Sequence, residues 1–365
     1  TTMADDVTAS PPQPAVLVTT GVLTGGVGVE EVRLSIVSSG TTNLASSPRA
    51  WLLALPNGAY TVARTTTGGV EKQGPIVHLE QFHVNRLVDS HLKLHKSTVD
   101  WKKEGGGGCD EGVIGEPKAL SLPQLRAFIG RVWKDSIQAF SQNFKGKNEC
   151  LMVTTLVLDG DEDDGETKAG THSDNQCSFR VWAHVRRMMP AKQSVTVQFF
   201  GNPRRLPKAK LSSWVRERKT TEQHKLDGVD EMILVERDRI YEGLTSNFFV
   251  VNHEGVIETA PTGILEGAMR EFVLESCSKL GIRVVQRFPK LSEIGSWKEA
   301  FITNTVKKIS SVDTAWVQAE SSEGGFQWKK KEFSTCQKGS QKGKGDEHNN
   351  LTTIERIRRH LLEHL

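Results

Sequence analysis

Glu242-Gly243-Leu244-Thr245-Ser246-Asn247-Phe248-Phe249, followed downstream by Ala260-Pro261-Thr262-Gly263-Ile264-Leu265-Glu266-Gly267-Ala268-Met269-Arg270, is the stretch that decides the reading of this chain. Apolar residues at Arg239–Tyr241 and Phe248–Asn252 mark two short strands around a polar turn, and Asn252-His253-Glu254-Gly255 marks another turn. Gly267 then opens a helix over Met269–Leu280. Met269, Phe272, Val273, Cys277 and Leu280 share one face of it, and Gly281 closes it. The first N–H groups of such a helix lack acceptors and sit at its positive end, so they suit an anion. Taken singly these features are ordinary. A carboxylate after a strand is commonly a turn group, and many helices begin after glycine.

Outward from this stretch, strands are expected at Glu231–Val235, Ile282–Gln286 and Glu299–Thr303, with helical sequence over Leu211–Thr221. Upstream, Gly58–Thr65 reads as a turn and a strand, and Leu79–Lys96 as a helix. Leu122–Phe144 reads as an amphipathic helix with Leu125, Phe128, Ile129, Val132, Ile137 and Phe140 inward. Leu151–Leu158, Phe179–Val185 and Val195–Phe200 are further strands. This alternation implies a mixed α/β (α+β) fold. The boundaries run as an irregular Thr/Ser/Gly/Pro-rich segment over 1–48, with one strand near Val32–Val37, a small α/β domain over 49–190 and a larger domain over 193–365. Within the last, 320–350 is low-complexity and reads as an insertion. Its Lys329–Lys331 run is expected to be a solvated loop rather than an RNA contact. Thr352 and Glu355 form a capping box for a terminal helix with Ile354, Ile357, Leu361 and Leu365 facing the body.

The chain has 365 residues, 37% hydrophobic and 25% charged, with a net charge of only +3, which gives no reason to expect a nucleic acid or an anionic membrane as partner. Cys109, Cys150, Cys177, Cys277 and Cys336 are dispersed, so neither a metal site nor a disulfide framework is expected. The acidic loop Asp159–Glu166 fails the calcium-loop template, because Asp164 and Gly170 stand where that template needs glycine and glutamate. Acidic residues near the start and the absence of an apolar run long enough to cross a bilayer point to a cytoplasmic protein.

The Glu242–Phe249 and Ala260–Arg270 motifs resemble those of the class IV aminotransferases. These are the fold-type IV pyridoxal-phosphate enzymes, which include branched-chain and D-amino-acid aminotransferases and aminodeoxychorismate lyase. Phe301-Ile302-Thr303-Asn304-Thr305, Gly58-Ala59-Tyr60 and Phe82–Ser90 resemble further elements of that family, in the same order, so the likeness spans roughly residues 50–315. It implies two α/β domains with pyridoxal phosphate in the cleft between them, a homodimer, and small amino-acid and 2-oxo-acid substrates. Lys210 would be the Schiff-base lysine. It precedes Glu242 by 32 positions, as in D-amino-acid-aminotransferase-like members, whereas Lys208 would give the longer spacing of branched-chain members. Gly228 and Glu231 fit the former register.

The chemistry explains the combination. Pyridoxal phosphate needs an amine, which Lys210 supplies and which can then move the α-proton. A carboxylate, Glu242, keeps the ring nitrogen protonated. The phosphate suits Gly267, Ala268 and Met269 at the helix start, with Thr305, Asn304 and Arg86. By resemblance Asn247 belongs to the cofactor set and Tyr60 lines the pocket near the lysine. Arg64, two alternations beyond Tyr60, is a candidate for a substrate carboxylate. Without the resemblance, Arg86 reads equally as a surface ion pair, Thr305 as a strand hydroxyl and Tyr60 as a half-buried strand aromatic.

Several family features are absent. Leu211-Ser212-Ser213-Trp214 replaces the Gly-x-Asn-Tyr stretch of branched-chain members, and no Arg-x-His pair follows Leu151–Leu158. Ser310-Ser311-Val312 stands where Pro-Val is common. The expected activity is amino transfer; a lyase of the aminodeoxychorismate type and a non-catalytic cofactor-binding protein are the alternatives. The substrate is left open.

Overall fold

A computed structural model describes residues 16–24, 30–35, 47–65, 76–103, 122–143, 151–159, 178–320, 325–333 and 351–364. Two sheets organise them. The first has five antiparallel strands in the order β2 (Glu30–Ser35), β1 (Val16–Thr24), β5 (Ser178–Arg187), β4 (Leu151–Asp159) and β3 (Ala59–Arg64). Helices α2 (Glu80–Lys103) and α3 (Leu122–Asn143) cover it. All six apolar residues expected to face inward from α3 are buried. So is Trp133, whose indole N–H donates to Thr155 Oγ1 of β4 at 2.6 Å.

The second sheet has nine strands. Its path is β11 (Val284–Gln286), β10 (Ile257–Thr259), β9 (Asn247–Asn252), β12 (Trp297–Asn304), β13 (Lys308–Glu320), β6 (Ser194–Phe199), β7 (Glu231–Glu236) and β8 (Arg239–Gly243). β14 (Phe326–Glu332) adds to β13. β8 also pairs with β9 through Glu242↔Asn247, so β9, β12, β13, β6, β7 and β8 close into a ring. Phe199, Phe248, Trp297, Ile302 and Val312 fill a core on this ring. Helices α6 (Ala268–Lys279) and α7 (Thr353–His364) pack on β9 and β12 through a separate core around Phe249, Phe301, Val273 and Ile357. The capping box at α7 is formed: Glu355 Oε2 accepts from Thr352 N at 2.9 Å, and Thr352 Oγ1 from Glu355 N at 3.2 Å.

Three expectations are corrected. The segment 1–48 is not irregular apart from one strand. It contributes β1 and β2, and β1 sits in register with β5 from Val16↔Arg186 to Thr24↔Ser178. Its glycines and threonines hid these strands, because composition says nothing of a partner that arrives 154 to 170 residues later. Secondly, the 320–350 window is not wholly an insertion. Phe326–Glu332 is strand, Trp328 meets Phe200 at 6.2 Å, and Phe333 stacks on Trp297 at 6.4 Å. Residues 334–350 lie outside the described set, as do most of the acidic loop, the Gly105–Gly108 loop and every cysteine but the buried Cys277. Thirdly, Leu211–Thr221 is two short helices, α4 (Ser213–Glu217) and α5 (Lys219–Glu222), broken at Arg218 where ψ flattens to −9°.

Candidate active site

Lys210 lies where the two sheets meet. Its carbonyl accepts from Tyr60 N at 2.9 Å and its N–H donates to Ser90 Oγ of α2 at 3.0 Å. Next to it Ala59 bridges Leu211, Ser212 N donates to Gly58 O, and Gly58 N to Ser212 Oγ. The lysine backbone is therefore sewn to β3 on one side and to α2 on the other. Its side chain lines a cavity of about 360 Å³ shared with Tyr60, Arg86, Glu242, Asn247, Gly267, Ala268, Met269, Asn304 and Thr305. Lys208 is exposed, and its carbonyl accepts from Lys93.

The electrostatics give each group a definite state. Burial holds the Lys210 amine well below its ordinary range; Arg86, Arg204 and Arg218 push the same way, and only Glu242 opposes them. The shift favours the uncharged, nucleophilic form of the amine relative to an exposed lysine. Its Nζ sits 4.7 Å from the centre of the Tyr60 ring. Glu242 is buried at the β8–β9 closure. Its Oε2 accepts from Leu265 N at 3.0 Å, and Oε1 approaches Arg204 Nε at 2.8 Å without hydrogen-bond alignment. Desolvation raises its carboxyl above the usual range despite Arg204 and Lys210. Arg86 is lowered to about 10 by burial and stays charged.

Opposite lies a cup of backbone. Gly267 precedes α6 with no side-chain cap, so the N–H groups of Ala268 and Met269 have no acceptor in the helix. A Cβ at Gly267 would run into Asn247 Oδ1. Asn247 in turn is fixed by its Nδ2 donating to Leu265 O at 2.7 Å. Asn304 shapes the neighbouring turn: its Oδ1 accepts from Val306 N at 3.0 Å and Lys307 N at 2.7 Å. Its side chain is thus committed to the loop that presents Thr305.

These residues fit pyridoxal phosphate. Glu242 Oε1 is a buried carboxylate oxygen, ion-paired with Arg204 but without an aligned hydrogen bond, and is matched to a protonated ring nitrogen. The α6 start, Thr305 and Arg86, whose Nε is buried without an acceptor, are matched to a phosphate dianion. A group of three or more His, Cys, Asp or Glu residues able to hold a metal is not found among the described residues.

Arg64 does not line the cavity, contrary to expectation. Four residues of strand carry it about 13 Å beyond Tyr60, to a position opposite Met152. Sequence reasoning missed Arg204, Trp214, Arg218, Thr303 and Lys307, all of which line the cavity. Arg204 lies over the Trp214 ring at 5.0 Å, and Trp214 Nε1 donates to Leu244 O. The signal available was slight: two arginines, Arg204 and Arg205, in an irregular stretch just before the lysine.

The architecture is that of solved aminotransferases. A branched-chain aminotransferase from Thermoproteus uzoniensis, solved with norvaline, superposes with a TM-score of 0.54 at 18% identity, over 94% of this chain and 95% of that one. An aminotransferase from Brucella abortus, bound to the cofactor PLP, gives 0.56 at 17% identity, over 94% and 98%. The family model for class IV amino-transferases matches residues 125–315, more than half of the chain, and the chain belongs to that family. A putative branched-chain-amino-acid aminotransferase of Methanocaldococcus jannaschii is 35% identical over 88 residues, 23% of this chain and 30% of the relative, so the match spans under a third of that protein. No helix among the described residues is long and apolar enough to cross a membrane.

Proposed function

We propose that the protein is a pyridoxal-phosphate-dependent aminotransferase that moves an amino group between an amino acid and a 2-oxo acid, with Lys210 as the amine that holds the cofactor. The observation that carries this reading is a lysine that lines one cavity with a buried carboxylate and an uncapped helix start, its pKa pushed down by burial. Bound pyridoxal phosphate would supply an electron sink for the substrate's α-carbon.

The chain's own residues supply the rest. Lys210 Nζ, whose uncharged form burial favours, would hold the cofactor and serve as general base and acid at the substrate's α-carbon. The face of Tyr60 limits where that amine can travel. Glu242 Oε1, with Arg204 beside it, holds a proton at the ring nitrogen. The α6 amides, Thr305 and Arg86 would hold the phosphate. In this reading the two sheets are the cores of a smaller and a larger domain, joined near residues 188–193, and the enzyme is a homodimer. Sedimentation velocity checks the last point.

The test is a half-reaction. Purified holoprotein mixed with an amino-acid pool should pass from an aldehyde-type to a pyridoxamine-type absorbance and release 2-oxo acids. Retention of the aldehyde form with release of pyruvate or ammonia would make it a lyase. Neither change would leave a cofactor-binding protein without turnover.

A further inference from the structure

Arg86, which the proposed function places on the phosphate, reaches the cavity from α2, and groups on α2 and β3 together aim it. Its Nη2 donates to Thr61 Oγ1 of β3 at 2.8 Å and meets Nδ1 of His83, one turn back on α2, at 3.2 Å. Thr61 Oγ1 and His83 Nδ1 are themselves 3.0 Å apart. The guanidinium also lies over the Phe82 ring at 5.3 Å. Thr61 and His83 are both fully buried.

Hydrogen-bond capacity fixes the state of this triangle. A guanidinium has donors only, so the imidazole nitrogen facing it must be the acceptor. The ring proton then sits on Nε2, and Thr61 accepts from Arg86 while its hydroxyl shares the single Nδ1 lone pair with the Arg86 N–H. His83 Nε2 is buried without a partner. An orphaned buried N–H is a cost that an apolar residue of similar size would avoid, so the imidazole is explained by what Nδ1 does. Protonation is opposed first by burial and then by the charge of Arg86, which hold His83 well below its ordinary range.

We infer that His83 is a positioning residue: a buried acceptor that, with Thr61, fixes the Nη2 edge of Arg86 so that the rest of the guanidinium addresses the cofactor's phosphate. The inference rests on the proposed function, and its consequence is selective. His83 should govern affinity for the phosphate and leave the rest of the cofactor alone.

The experiment titrates cofactor-free protein with pyridoxal phosphate and, separately, with pyridoxal, following absorbance and borohydride fixation. His83→Leu should weaken pyridoxal phosphate about tenfold or more and change pyridoxal less than about twofold. His83→Asn places an oxygen acceptor near the Nδ1 position and should recover most of the loss. Thr61→Val, which removes the other acceptor, should give a smaller loss with the same selectivity and serves if His83→Leu does not fold. Equal loss of both ligands, no loss of pyridoxal phosphate, or no recovery in His83→Asn overturns the inference while leaving the cofactor assignment standing. Wild-type protein that does not prefer pyridoxal phosphate to pyridoxal overturns both.

Discussion

The two walls of the cavity are built on different principles. On the nine-stranded side the ligand-facing groups are mostly main chain: the N–H groups at the start of α6 and the turn that Asn304 folds around its own side chain. On the five-stranded side they are side chains in a relay, Thr61 and His83 behind Arg86, with the Tyr60 ring beneath Lys210. Main-chain groups are set by backbone geometry and tolerate changes of side chain. A relay fails when any one member is lost. The first wall should therefore be robust to most substitutions except at glycine, and the second sensitive at several positions that never touch the ligand.

The largest effect belongs to the residue at the seam between the walls. Lys210→Ala should abolish the borohydride-reducible absorbance and lower turnover by at least about 10³-fold. Survival of that absorbance would hand the role to another lysine and remove the seam on which the comparison rests. Glu242→Gln should keep the cofactor but slow turnover about 10²-fold, measured as kcat in the half-reaction. Unchanged kcat would strip the nine-stranded wall of its one essential side chain.

Gly267→Ala probes the backbone wall directly. The new Cβ meets the held Asn247 side chain, and cofactor affinity should fall roughly tenfold, about 1.4 kcal/mol, by spectral titration. An unaffected affinity would mean that the cup deforms freely. A pH test reads the seam without ligand. Unfolded Lys210 takes up a proton near 10.5 and the folded residue only well below that. The cofactor-free fold thus loses stability as pH falls from 10.5 through the folded pKa. Lys210→Met lacks this loss and should melt about 2 °C or more higher than wild type at neutral pH, with the gap closing as pH rises. Parallel melting curves would show that the amine is solvated. The smallest effect is expected for Met269→Thr, within about twofold in cofactor affinity, about 0.4 kcal/mol. A larger change would show that this wall reads side chains after all.

The same division explains what could be seen in the sequence. The backbone wall is written locally. Glu242–Phe249 and Gly267–Arg270 each span a few residues, and the closure, the cup and the helix follow from that short order. The relay is not local: Thr61 and His83 lie 22 positions apart, on a strand and a helix, and only tertiary packing brings them together. Arg204, Trp214 and Arg218 escaped for another reason. They flank a lysine in a stretch of turns and short helices, where no period says which way a side chain points. Arg64 was misplaced because a period-two face has no stated end; the cavity stops after Val62 and the strand does not.

The closure of the ring carries one last consequence. Six strands form a hoop whose clasp is the pair Glu242↔Asn247, and both residues of that clasp line the cavity. A molecule seated there sits on the fastener of the barrel it binds to. The ring is closed by the short turn between β8 and β9, so the carboxylate and the amide that face an occupant are placed by the same hairpin that completes the barrel.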